Sequence, residues 1–115
     1  MVNVHDHAHS LARALRESSE NRAYQAAKER LKGNQNAQQM IDDFHKKQIE
    51  LQGLVMQGKE PSKEQRDSLQ RLYSIVQSHT EAREYLAAEQ RLAVLVGDIY
   101  KIIGEAVDLE GLPGL

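Results

Sequence analysis

Three histidines near the start of the chain, His5, His7 and His9, are the first residues whose type and spacing could do chemistry. On a helix, His5 and His9 stand one turn apart on one face, a workable pair of metal ligands, while His7 points elsewhere. A third ligand would have to come from Asp6 or from a second chain. The plainer reading is that these imidazoles decorate the surface of an amphipathic helix. Glu89 is the second candidate. On a helix it falls among Tyr85, Leu92, Ala93 and Val96, inside an apolar arc. A carboxylate buried there needs a partner or a shifted proton affinity. Glu89 is therefore expected to be a buried polar residue, held by an Arg, His or Tyr of another helix, or set to fix helix register or receive a partner protein. Asp42 and Asp43 do not make a catalytic dyad, because adjacent helical residues diverge by about 100°.

The signatures of common active sites are missing. The seven glycines form neither a GxxxxGK nor a GxGxxG loop, and no serine sits in a GxSxG turn. Cysteine is absent, which excludes disulfides, thiolate metal sites, iron–sulfur clusters and cysteine nucleophiles together. No catalytic residue and no cofactor site are expected, and the chain reads as a non-enzyme. His5 and His9 remain as the candidate metal pair.

The elements that would position these residues are all helical. Of 115 residues only five are aromatic and two are proline, so the core is aliphatic and long stretches are free to be helix. Val4 to Glu17 carries Val4, Ala8, Leu11, Ala12 and Leu15 at helical spacing. Ser18-Ser19 interrupts it, and Ser19 is expected to cap a second helix from Glu20 to Lys32, ended by Gly33-Asn34. A third helix runs to about Gln57 with Ala37, Met40, Ile41, Phe44, Leu51, Leu54 and Val55 as its apolar face. After the Gly58–Pro61 turn, Ser62 and Gln65 form a capping box that opens a fourth helix, with Leu69, Leu72, Tyr73 and Val76 inward. Ser78 and Glu81 repeat that spacing and open the last helix, unless His79-Thr80 is only a kink in one rod.

That last helix, Glu81 to Val107, dominates the pattern. It would be roughly 40 Å long, longer than the ~35 Å breadth of a compact globule of this chain length. Its apolar residues cover about half its girth, where a surface helix needs a stripe of about 100°. A helix of this kind needs partners on two sides, and a second copy of the chain could supply one set. Leu92, Val96, Ile99 and Ile103 are the residues expected to carry self-association. Gly97 and Gly104 share one side, with Ala93 one turn earlier. Small residues there fit either tight packing within the chain or a dimer seam. The expected fold is therefore all-α: a dimeric bundle of four to five helices, with residues 1–109 as one helical domain and 110–115 as a flexible tail.

Net charge is −2, unevenly spread. Residues 1–33 carry six basic and four acidic groups, and residues 81–115 three basic and seven acidic. The small patch Lys28, Arg30 and Lys32 is no basic face of the kind that binds nucleic acid, and no direct nucleic-acid contact is expected. The longest apolar run, Leu92 to Val96, is far too short to span a membrane. A cytoplasmic protein without membrane insertion is expected.

Leu11 and Leu15 followed by Ser19-Glu20, Tyr24 and Leu31, then Ala37, Ile41 and Phe44, the turn Gln57-Gly58-Lys59, and finally Ala88-Glu89 with Leu92, Leu95, Ile99 and Ile103, form an ordered set. In order and spacing it resembles the YlbF/YmcA family of small bacterial helical regulatory proteins, and within it the YheA-like branch. The resemblance runs from about Leu11 to Val107. It implies a helical homo-oligomer with a non-enzymatic regulatory role. Better-understood relatives act as adaptors in a complex that influences competence, sporulation and biofilm decisions and modulates RNA processing by a membrane-attached endoribonuclease. Some relatives carry a cysteine-bearing tail connected with iron–sulfur binding. With no cysteine here, no cluster-based role carries over. The reading is a cytosolic adaptor whose partners are itself and another regulatory protein. The alternative is a metal- or small-ligand sensor using the N-terminal histidines.

Overall fold

The structure is a computed structural model that describes residues 3–114. Met1 and Val2 of the expected domain and Leu115 of the expected tail lie outside that range. Among the described residues five helices follow one another: α1 (Val4–Glu17), α2 (Ser19–Lys32), α3 (Gln35–Met56), α4 (Lys63–Gln77) and α5 (Thr80–Ala106). No strand occurs among the described residues. The fold is all-α with a long C-terminal helix, as the periodicity requires.

Each boundary has a local cause. Asn3 opens α1 by accepting the backbone N–H groups of His5 and Asp6, donors that a helix start leaves without partners. The α1–α2 break falls at Ser18, whose backbone is extended (φ −62°, ψ 150°). Its hydroxyl donates to Leu15 O at 2.6 Å and accepts Asn21 N–H at 3.1 Å. Ser18, not Ser19 as expected from sequence, therefore closes one helix and opens the next. The Ser62–Gln65 capping box forms in both directions.

The Ser78–Glu81 box does not form. Ser78 is helical itself (φ −80°, ψ −11°) and its hydroxyl turns back to Ile75 O at 2.6 Å. α4 and α5 are nonetheless separate helices. Arg83 helps close the first by donating from Nη1 to Gln77 O, while its backbone N–H bonds His79 O as α5 begins.

The end of α3 needs a glycine. Lys59 N–H reaches Leu54 O at 2.9 Å and Gly58 N–H reaches Val55 O at 3.0 Å, which caps two carbonyls of the last turn. This geometry places Gly58 at φ +76°, the left-handed region. A Cβ added there would touch nothing within 4 Å, so strain alone sets the penalty. Gly58→Ala is expected to lower unfolding free energy by about 1 kcal/mol, read as a shift of the urea midpoint. Gly58→Asn should lose less.

The chain divides into two compact units, one from the residues up to Tyr24 together with Ala88 onwards, the other Gln25–Ala87. The second holds nearly all of the core. Ala27 and Leu31 of α2, Ala37, Ile41, Phe44 and Leu51 of α3, Val76 of α4, and Ala82, Tyr85 and Leu86 of α5 are its buried apolar side chains. α3 packs against α4, and the Phe44 ring lies tilted 6.0 Å from that of Tyr73. Val55, expected on the inner face of α3, is 62% exposed. It lies in the last turn, where the chain is leaving the core. Among the described residues of the first unit only Ala88 is buried, and α1 has no buried residue. Beyond α5, Asp108 accepts Gly111 N–H and Leu112 N–H bonds Leu109 O, so the tail is a succession of turns.

Candidate functional site

The N-terminal histidines do not converge with other ligands. His5, His7 and His9 are all exposed on α1, and the described residues hold no group of three His, Asp or Glu side chains placed to share a metal ion. Asp42 and Asp43 point apart, and each accepts a hydrogen bond from the glutamine one turn before it, Gln38 and Gln39 respectively. Glu89 is only partly covered, not buried as expected, and it is not without a partner. No polar or charged side chain among the described residues is fully buried.

The basic patch is partly neutralised. Arg30 pairs with Glu84 at 3.5 Å and Lys32 with Glu29 at 3.2 Å. Both pairs are about half exposed or more, so they steer little and stabilise little.

One polar cluster joins residues far apart in sequence. Asn34 accepts Ala37 N–H with Oδ1, capping α3, and its Nδ2 donates to Glu81 Oε2 at 2.7 Å and faces His79 Nε2 at 3.3 Å. One side chain thus ties the α2–α3 joint to the α4–α5 joint. With Nε2 as acceptor, the ring hydrogen sits on Nδ1, which is buried and makes no hydrogen bond among the described residues. The cluster caps α3 and links the two joints. Asn34→Ala removes a cap and a charge-assisted hydrogen bond, and should cost about 2 kcal/mol. Thermal and urea unfolding would measure it. A change under about 0.5 kcal/mol would mean that the joint holds without this side chain. Nothing in the sequence announced the cluster beyond a capping asparagine.

The most distinctive surface is on α5 and on Val107 just past its end, whose N–H still bonds Ile103 O in helical register. At 100° per residue, Ile103, Val96, Val107 and Tyr100 follow one another across a 60° stripe, with Ala93, Gly104 and Gly97 beside it. The four bulky residues are 41%, 40%, 52% and 66% exposed. A Cβ added at Gly97 or Gly104 would meet nothing within 4 Å. Tight packing within the chain, one of the two readings of these glycines, is thus not realised. Of the four residues expected to carry self-association, Leu92 and Ile99 are half-covered and Val96 and Ile103 are open. Tyr100 and Val107 extend the open stripe. Monomeric proteins seldom leave long, continuous apolar faces uncovered.

Residues 4–108 match the family described as control of competence regulator ComK, YlbF/YmcA. The chain belongs to the YlbF/YmcA family. It is 57% identical to a UPF0342 protein of Symbiobacterium thermophilum, covering 93% of this chain and 96% of that one. It is 46% identical to a UPF0342 protein of Caldicellulosiruptor saccharolyticus, over 96% of this chain and 92% of the relative. A solved structure, a protein of unknown function (DUF964) from Bacillus stearothermophilus, superposes with a TM-score of 0.77, covering 97% and 98% of the two chains at 18% identity. That likeness speaks for the fold alone. The YlbF/YmcA description is regulatory and names no reaction. No helix among the described residues is long and apolar enough to cross a membrane.

Proposed function

We propose that this YlbF/YmcA-family chain is a non-enzymatic cytoplasmic regulatory protein that works through helix-mediated protein contacts, the first of them with a second copy of itself. The observation that supports this most is the uncovered stripe Val96, Tyr100, Ile103 and Val107, flanked by glycines that no neighbour occupies. Bulky apolar residues beside small ones let a second helix approach closely and bury apolar surface without desolvating charge. The family's description, control of competence regulator ComK, supports the second half of the reading, an adaptor for another regulatory protein; the resemblance extends the reading to sporulation, biofilm or RNA-processing control.

Sedimentation equilibrium of the untagged protein across a hundredfold concentration range tests the first half. Twice the chain mass is expected, and a single-chain mass throughout would overturn it. Cross-linking followed by affinity capture from the source bacterium tests the second. Recovery of family relatives or an endoribonuclease is expected, and recovery of this chain alone would end the adaptor reading.

A further inference from the structure

The hairpin of α3 and α4 carries a second uncovered apolar surface. A cavity of about 650 Å³ is lined chiefly by Leu51, Val55, Met56, Pro61, Leu69 and Arg66. A neighbouring one of about 410 Å³ lies between Phe44, Leu69 and Tyr73 and shares Arg66. Leu69 and Arg66 belong to both, so the two form one groove along the helix pair. Its floor is open: Val55 and Met56 are 62% and 88% exposed.

We infer that this groove is the seat for the outer stripe of α5 from a second copy of the chain. The inference rests on the self-association reading and names what the stripe meets. Three observations favour this occupant. The first is length. From Phe44 to Val55 the groove follows α3 for about three turns, roughly 17 Å, and the stripe from Val96 to Val107 also runs for roughly 17 Å.

The second is charge. Residues 46–71, which bracket the groove, carry six basic and four acidic groups, whereas residues 98–110 carry one basic and four acidic. Arg66 is held in place within the groove by donating to Pro61 O at 2.9 Å. Its weak pair with Glu60, at 3.8 Å and largely solvent-exposed, offers little competition to an incoming carboxylate. A basic apolar groove thus faces an apolar helix with an acidic end.

The third is area. Stripe against stripe would cover about 400 Å² per copy, at roughly 100 Å² for each of four side chains, about half of what a stable pair buries per partner. Stripe into groove happens twice in a twofold dimer, since each copy offers both surfaces. That exchange doubles the contact and leaves neither apolar surface in water.

The cysteine-free chain allows a direct test. Met56→Cys and Ile103→Cys are made in separate chains, mixed, and treated with a short bismaleimide. The covalent pair is expected at least tenfold more often in the mixture than in either variant alone. Self-coupling of Ile103→Cys with no gain on mixing would mean that α5 packs on α5. The groove assignment would then fall while self-association stands. A single-chain mass for the wild type in sedimentation, with no covalent pair in any sample, would overturn both. Met56→Glu gives an independent check on a side chain too exposed to matter for folding. It should weaken self-association at least tenfold with unchanged helicity, and unchanged association would overturn the groove as the seat.

Discussion

Val96→Asp is expected to yield a folded protein that no longer self-associates. In the single chain Val96 is 40% exposed, so an aspartate there can turn its carboxylate to water, and unfolding should change by no more than about 1 kcal/mol. In a paired state the same position opens the stripe, one turn after Leu92 and one turn before Tyr100. A carboxylate held there has no cation on its own face, since Arg91 and Lys101 lie on the far side of the helix. Desolvating it should weaken association by about 3 kcal/mol or more, over a hundredfold in dissociation constant. Sedimentation equilibrium and circular dichroism on one sample separate the two effects. A variant that stays paired would remove the seam from this face. One that unfolds would show that Val96 belongs to the core. Leu92→Asp, at a half-covered position, should fail by unfolding instead.

Leu86→Ala should have the largest effect on stability. Leu86 is 1% exposed and, with Leu31, Ile41 and Val76, is among the largest fully buried side chains. The truncation loses three carbons of buried apolar surface and leaves a cavity that helix backbones cannot collapse to fill. About 3 kcal/mol is expected, a large share of the ~5–15 kcal/mol that holds a domain of this size folded. The urea midpoint should fall by about 2 M, taking an m-value near 1.5 kcal/mol/M. Ile102→Ala, at a residue 67% exposed, is the matched control and should stay within about 0.5 kcal/mol. If the two variants lost similar stability, the core would not be centred where Leu86 places it.

Much of the fold was open to reading because the signals were local. The bounds of α1, the Ser62–Gln65 box and the end of α3 at Gly58 depend on residues within five positions of one another. So does the breadth of the apolar arc on α5. The misreadings had the same root. Ser18 and Ser19 are chemically alike, and only the extended backbone at Ser18 decides which one caps. Ser78 had the spacing of a cap, but its helical backbone sent the hydroxyl to Ile75 instead.

What lay beyond local spacing was harder. Asn34 meets His79 and Glu81 from 45 and 47 positions away. The split of Leu92 and Ile99 from Val96 and Ile103 depends on which part of an evenly apolar arc the rest of the chain covers. No periodicity distinguishes them. The groove was invisible for a related reason: Val55 continues the inner stripe of α3 by count, yet it faces out where the hairpin opens.

The lack of any buried side chain on α1 has a kinetic counterpart. A helix of 14 residues has little stability of its own in water, and here no interior residue anchors it. Its amide hydrogens should therefore exchange with deuterium through local opening, while those flanking Leu31 and Leu86 wait for rarer, larger unfolding events. The chain would hold a slow-exchanging centre and a fast-opening first helix under the same native conditions. A protease would find that first helix long before the rest of the molecule came apart.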